Sequence, residues 1–455
     1  MSITIKRAVT ALISVVILIL IATLIVIAIR PIPLPFLSSY IRSQLDNRFH
    51  AYYVDFEYAQ TRWRPIKKVL EFHLNSVHAT DYGENVLATV PKIVVALGVK
   101  SFPRYTLEIR EVEFQNPKIS LIRTVGGALK FDLGNSDDGS SGRILETILI
   151  NIATTSTAET NNQTYFTGFR ILNSDLTLGD EISGSLLHVS NANINLMPNL
   201  EGIGCNYDFS VFARGEYLHF SGECLYKTAD EKINLLVNFD EVRPALLTEI
   251  LPQFNYFTPL EVRLSGKVQL ELDKFLTVHE AVFDLRSGKG TLEIIEYFGS
   301  NLEVNSIHIT GKALNDFSHI EFDKLTVDLE ETKAEINALF LKTNNKLDIK
   351  LNAHFKGTSI STLLPRWFTY LENEKLNCLH ASSKAYTQSL LTIDGTYDLN
   401  KHHINALGHI TCLDKILSNQ DSDLSTNTNL VKNSEIMQKF RIDGPFTSPN
   451  LVTIQ

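Results

Sequence analysis

The stretch CNYDFSVFARGEYLHFSGECLY, residues 205–226, alternates apolar and polar side chains on both sides of Arg214-Gly215. Alternation with a period of two belongs to a half-buried strand, and a central pair containing Gly belongs to a tight hairpin turn. With Arg214 and Gly215 at the turn, Val211 faces Leu218, Phe209 faces Phe220 and Cys205 faces Cys224. Tyr207, Phe209, Val211, Leu218, Phe220 and both cysteines then share one face. Asn206, Asp208, Ser210, His219 and Glu223 share the other, with Phe212 and Leu225 as exceptions. An apolar sheet face has to be hidden from water, and that demand limits the fold more than any other feature.

The pattern recurs. In AEINALFLKTNNKLDIKLNAHF, a turn at Asn344-Asn345 sets Ile336 against Ala353, Ala338 against Leu351 and Phe340 against Ile349. In SLLTIDGTYDLNKHHINALGHITC, a two-residue turn at Asn400-Lys401 sets Leu391, Ile393 and Tyr397 against Ile410, Gly408 and Ile404. In VRLSGKVQLEL, Val262, Leu264, Val268, Leu270 and Leu272 fall on one face, with Gly266 in the row. Hairpins of one polarity and consistent register define antiparallel sheet, greasy on one side. EVEFQNPKISLIR, FRILNSDLTLGD and LLHVSNANINLMP share an apolar start, a short Asn-containing interruption and an alternating finish, and read as recurring β units.

Helical periodicity is confined to residues 36–49, 142–153, 243–254 and 359–371. Residues 136–142 and 418–434 are polar loops, the latter expected to be flexible. A few short helices cannot cover the apolar side of so many strands. Either the faces cover each other, as in sandwiches or barrels, or something other than protein covers part of them.

The run AVTALISVVILILIATLIVIAI, Ala8 to Ile29, carries no charge and is long enough to span a bilayer. Lys6 and Arg7 precede it and favour a cytoplasmic N-terminus. The run exceeds the h-region of a cleaved signal peptide, so it reads as an anchor with the rest of the chain outside the cytoplasm. A net charge of −9 without a basic block argues against nucleic-acid binding. Cys205 and Cys224 are placed either for a cross-strand disulfide or as buried thiols. No phosphate-binding Gly loop, zinc-protease helix or Gly-flanked nucleophilic Ser occurs. His403 and His409 fall on a polar strand face with no Asp or Cys in the same register, and Asp137-Asp138 lacks the ligand spacing of a calcium loop. Neither enzyme chemistry, a metal nor a cofactor is expected.

RPIPLPFLSSYIRSQLDNRF directly after the anchor, EVEFQNPKISLIRTVGGALKFDL, FKGTSISTLLPRWFTYLENEKLN and the closing DGPFTSPNLVTI are similar to segments of the AsmA-like envelope proteins, in particular their YhdP-type branch. The resemblance implies an inner-membrane anchor over residues 1–30 and a Pro-rich exit with a capping helix over 31–50. An elongated, curled antiparallel β-groove of repeats follows over 51–417, then the polar segment 418–434 and closing strands over 435–455. It further implies that the apolar groove carries phospholipid acyl chains between the inner and outer membranes, in the manner of a bridge-like lipid transfer protein, with another envelope protein extending the groove or coupling it to the outer membrane. The groove lining is then the apolar face named above: Tyr207, Phe209, Val211, Leu218, Phe220, Val262, Leu264, Val268, Leu270, Ile336, Phe340, Ile349, Leu351, Leu391, Ile393 and Ile404. At one strand per ~15 residues and ~4.8 Å between strands, such a groove is on the order of 130 Å long, short for spanning two membranes alone. The rival reading is a structural or assembly factor for the outer envelope, made of packed β-sandwich units with no lipid ligand.

Overall fold

The computed structural model describes residues 53–80, 86–98, 109–126, 128–134, 166–182, 184–250, 258–293, 301–330, 332–357, 386–414, 435–445 and 449–454, with single positions 15, 18, 32, 33 and 38. The expected anchor and capping helix, apart from those single positions, lie outside the described residues. So do the helices expected at 142–153 and 359–371 and the segment 418–434. Among the described residues no helix is long and apolar enough to cross a membrane. The protein is mainly β, and antiparallel pairing dominates. It divides into two compact units, Met1–Lys232 and Ile233–Gln455.

In the first unit, β1 (Ile32–Pro33) pairs with β3 (Tyr58–Arg64), which pairs with β4 (Val69–Thr80). The short β2 (Tyr53–Asp55) extends the same edge of β4, and β5 (Val86–Gly98) occupies the other. β6 (Ile109–Gln115) and β7 (Lys118–Arg123) run on from one another, and β8 (Leu129–Leu133) folds back on β7 and bridges to β5. β9 (Gly168–Asp180), β10 (Ser185–Asn199), β11 (Gly202–Ala213) and β12 (Glu216–Lys227) follow as antiparallel neighbours. One expectation needs correcting here: β9 lies parallel to both β6 and β7. A parallel neighbour needs a long crossover, and residues 124–167 between β7 and β9 supply the length.

The recurring Asn-containing interruption has a definite structure. Asn116, Asn173 and Asn191 all have φ between 52° and 55°, and Ser76 in β4 has φ 52°. The ladder sets Ser76 beside Pro91, Pro91 beside Asn116 and Asn116 beside Asn173, with Asn191 next in β10. Left-handed backbone in mid-strand inverts which side the following residues face. Phe169 and Ile171 precede the inversion in β9 and Leu176 follows it, yet all pack in one cluster. Phe114 and Ile119 do the same across Asn116, as do Val90 and Ile93 across Pro91. This aligned crease therefore keeps one apolar side continuous while each strand changes phase. Polar side chains fasten it: Asn193 Oδ1 accepts from the Asn173 N–H at 2.9 Å, and Ser174 Oγ donates to the Pro117 carbonyl at 3.0 Å. Asn tolerates this conformation and a β-branched residue does not. The Asn173 side chain is exposed, so Asn173→Val is expected to cost about 1–2 kcal/mol and Asn173→Gly only a few tenths. Urea unfolding midpoints check this; equal midpoints for the two variants would refute a backbone origin.

The second unit is a meander. After β13 (Lys232–Val242) and α1 (Pro244–Ile250), β14 (Leu264–Asp273), β15 (Val278–Ser287), β18 (Ser306–Leu314), β19 (His319–Asp328), β20 (Thr332–Thr343), β21 (Lys346–Gly357), β22 (Tyr386–Asp398), β23 (His403–Asp414), β24 (Glu435–Pro445) and β25 (Asn450–Ile454) pair antiparallel in that order. Between β15 and β18, β16 (Gly290–Leu292) and β17 (Leu302–Val304) form a separate pair. α1 begins on Pro244, a residue suited to the first helical position, and buries Ala245 and Leu246. It falls inside the helix expected over 243–254.

The three hairpin registers are those read from the alternation. Arg214 and Gly215 both take positive φ, at 46° and 85°, as a two-residue mirror-image turn demands. The third turn differs. Pairing stops at Asp398 and His403, leaving the four-residue loop Leu399–His402. Asp398 Oδ1 accepts from the backbone N–H groups of Asn400 and Lys401, each at 3.0 Å, and His402 turns left-handed at φ 51°. These bonds to the Lys401 and Asn400 amides hold the exposed Asp398 carboxyl below its ordinary pKa. The Asx bond makes the wider loop self-supporting while the register stays unchanged.

Candidate functional site

The apolar side of the second unit is assembled by register. Leu264, Val268 and Leu270 alternate along β14, so each starts a row that runs across the sheet. Val268 faces Phe283, Phe283 faces Gly311, and Gly311 faces Phe322. The row continues through Ala338, Leu351, Ile393, Gly408 and Phe440 without a polar side chain. The adjacent row starts at Leu270 and passes Ala281, Ala313, Ile320, Phe340, Ile349, Gly395 and Ala406 to Ile442. On the other flank Leu285, Ile309, Leu325, Ile336, Ala353, Leu391 and Ile410 form a third. At ~4.8 Å per strand the first two rows are about 40 Å long and the third about 30 Å. A bulge in β19 at Asp323 keeps Phe322 and Leu325 on the same side.

Burial sorts the expected lining residues. Val262 and Leu264 are closed off by Val304 and Ile307 with Leu292 packed alongside. Leu391 and Ile404 belong to a dry cluster with Ile410 and Ile442, both at 0% exposure. Val268, Leu270, Ile336, Phe340, Ile349, Leu351 and Ile393 are half-buried. Phe283, Phe322 and Phe340 form an aromatic floor among them, with centroids 5.8 and 5.9 Å apart in edge-on pairs. Protein thus seals the sides of this face and leaves its middle partly open.

In the first unit the β11–β12 hairpin repeats the arrangement. Val211 and Leu218 near the turn are buried, at 3% and 2% exposure. Tyr207, Phe209 and Phe220 in the middle are half-buried, and Phe209 lies 5.9 Å from Tyr207 and 5.5 Å from Phe220 between centroids. Burial pushes the Tyr207 phenol up to about 12. Cys205 and Cys224 follow on the same face, joined as a disulfide with Cα atoms 4.8 Å apart.

The opposite faces carry the charge. In the first unit, Arg64 sits 2.7 Å from buried Glu71, which also meets His73 at 3.3 Å. Burial acts to raise the Glu71 pKa, but the His73 hydrogen bond and the Arg64 charge outweigh it and hold the carboxyl below its ordinary value. Arg170 bridges Glu111 and Glu113, the latter at 2.9 Å. In the second, His403 is closer to a carboxylate than the sequence reading allowed: Asp443, brought in by β24, is 3.7 Å away. Thr392 takes up His409 at 2.6 Å, and Tyr397 meets His402 at 3.0 Å. Among the described residues no group of three or more His, Cys, Asp or Glu side chains is placed to hold a metal ion.

Sequence reasoning missed Phe283 and Phe322. Val282 and Phe283 give β15 apolar residues of both parities, and the Asp323 bulge interrupts the alternation of β19. No protein-family model matches the chain, and no curated protein or solved structure does either.

Proposed function

We propose that the chain binds phospholipid acyl chains along the half-buried middle of these apolar faces and helps move phospholipid between the inner and outer membranes of a Gram-negative envelope. The observation that carries this reading is the uninterrupted apolar row from Val268 to Phe440 with its aromatic centre only partly covered. An acyl chain drawn through water exposes about 0.8 kcal/mol per CH₂, and a continuous apolar row removes that cost at every step. The head group stays outside, so no ionised group needs burial. The resemblance to AsmA-like proteins supports the same direction, as does the uncharged run Ala8–Ile29 for an inner-membrane anchor. A cross-strand disulfide suits an oxidising compartment such as the periplasm.

Photo-crosslinking side chains at Phe209, Phe340 and Leu351 are expected to capture phospholipid in cells. Ser210, His219 and Asn337 on the opposite faces are expected to capture none. Equal labelling of both faces would sink the proposal. The dry cluster around Ile410 and Ile442 favours the rival reading, a packed structural or assembly factor. Under that reading none of the positions captures lipid, and the purified protein carries none in native mass spectrometry.

A further inference from the structure

We propose that the polar-side face of β23–β25 docks onto a bilayer rich in anionic phospholipid. On most of this side the second unit is conventionally hydrophilic: β20 and β21 present Glu335, Asn337, Lys350 and Asn352. The last strands differ. Leu407, Met437, Val452 and Ile454 stand out at 57%, 57%, 60% and 43% exposure. The register interleaves them with cations. Arg441 lies between Leu407 and Val452, and Lys439 lies between His409 and Ile454. Within β23–β25 these rows hold no carboxylate; on β22 Asp394 faces Leu407, and Asp443 and Glu435 on β24 lie one row beyond the patch on either flank. A cleft of about 450 Å³ opens into the patch, bounded by Lys350, Asp394, Leu407, His409, Lys439 and Ile454.

Contiguous exposed aliphatic side chains mark an interaction surface. The chemistry of this one selects a membrane. Its cations Lys350, Lys439 and Arg441 outnumber its one carboxylate, Asp394, in a chain whose net charge is −9, so it favours an anionic surface. It has no aromatic residue to anchor a protein partner, the usual centre of a protein interface. Aliphatic side chains with cations between them match the boundary between head groups and acyl chains, where Lys and Arg reach outward to phosphate. This face is the reverse of the one proposed to hold acyl chains, and the inference does not depend on that proposal.

The full chain, held in immobilised nanodiscs of phosphatidylcholine, is offered protein-free vesicles rich in phosphatidylglycerol. Capture is expected, and vesicles of pure phosphatidylcholine are expected to bind far more weakly. Each cation near an anionic surface contributes about 1 kcal/mol, so Lys439→Glu/Arg441→Glu is expected to lower vesicle affinity by ~30-fold. The same charge change at Lys267 and Lys333, on β14 and β20, should leave capture near wild type. Leu407→Ser/Val452→Ser tests the apolar half and carries the experiment if circular dichroism shows the charge variant to be misfolded. Undiminished capture by the patch variants, an equal loss in the Lys267/Lys333 control, or capture only of vesicles carrying a membrane protein would each overturn the proposal.

Discussion

Replacing Phe440 with alanine is expected to lower the stability of the chain by about 3–5 kcal/mol, the range for emptying a buried aromatic site. Phe440 is 1% exposed and its ring covers Gly408 on β23. A Cβ added at Gly408 would meet ring carbons Cε2 and Cζ of Phe440 at 2.3 Å. Gly408→Val alone therefore overpacks the site and is expected to cost about 1–3 kcal/mol. The two changes are opposite in volume, so the double variant Gly408→Val/Phe440→Ala should be more stable than the sum of the single effects by at least 0.5 kcal/mol, the low end for residues in contact. Denaturant unfolding of all four proteins gives the coupling. Additive losses would mean that the ring does not hold its place by resting on the glycine.

The second large effect concerns the Cys205–Cys224 bond, which closes a loop with a sequence separation of 19. Closing a loop near this size stabilises a fold by about 3 kcal/mol, chiefly by restricting the unfolded chain. Cys205→Ala/Cys224→Ala is expected to lose about 2–3 kcal/mol, because the hairpin ladder supplies some of the same restriction. A reductant should lower the unfolding midpoint of the parent protein and leave that of the variant unmoved. Identical midpoints with and without reductant in the parent would rule the bond out as a contributor.

Much of this architecture could be read from alternation, because a period of two depends on neighbours only a few residues apart. Phe209 against Phe220 and Ile336 against Ala353 followed directly from counting outward from a turn. Counting fails where the backbone changes phase. The Asn-containing interruptions at Asn116, Asn173 and Asn191 were visible as a repeat, but their alignment across strands arises only when β9 pairs with β6 and β7. That parallel pairing joins residues far apart in sequence, and no local pattern encodes it. The four-residue loop after Asp398 escaped because the same register accommodates either turn length. The face of β23–β25 was read as polar because His403 and His409 dominate the alternation; Leu407 between them counts only once β24 and β25 add Met437, Val452 and Ile454. Of the candidate lining, the shared face was legible. Which members protein seals, such as Val262 under β16–β17, depends on packing between distant segments.

The crease of the first unit has a consequence for how its strands find one another. A uniform strand can slide by two residues along its neighbour and keep every apolar side chain on the correct side. A strand carrying one left-handed residue cannot. Sliding Asn173 away from Asn116 would break the bond from the Asn116 N–H to the Leu172 carbonyl, 2.8 Å in the native pairing, and set extended backbone beside the inversion. The residues between the two misaligned inversions would then face opposite sides. Ser76, Asn116, Asn173 and Asn191 act together as alignment pins, admitting one way of zipping long strands whose side-chain pattern alone would admit several.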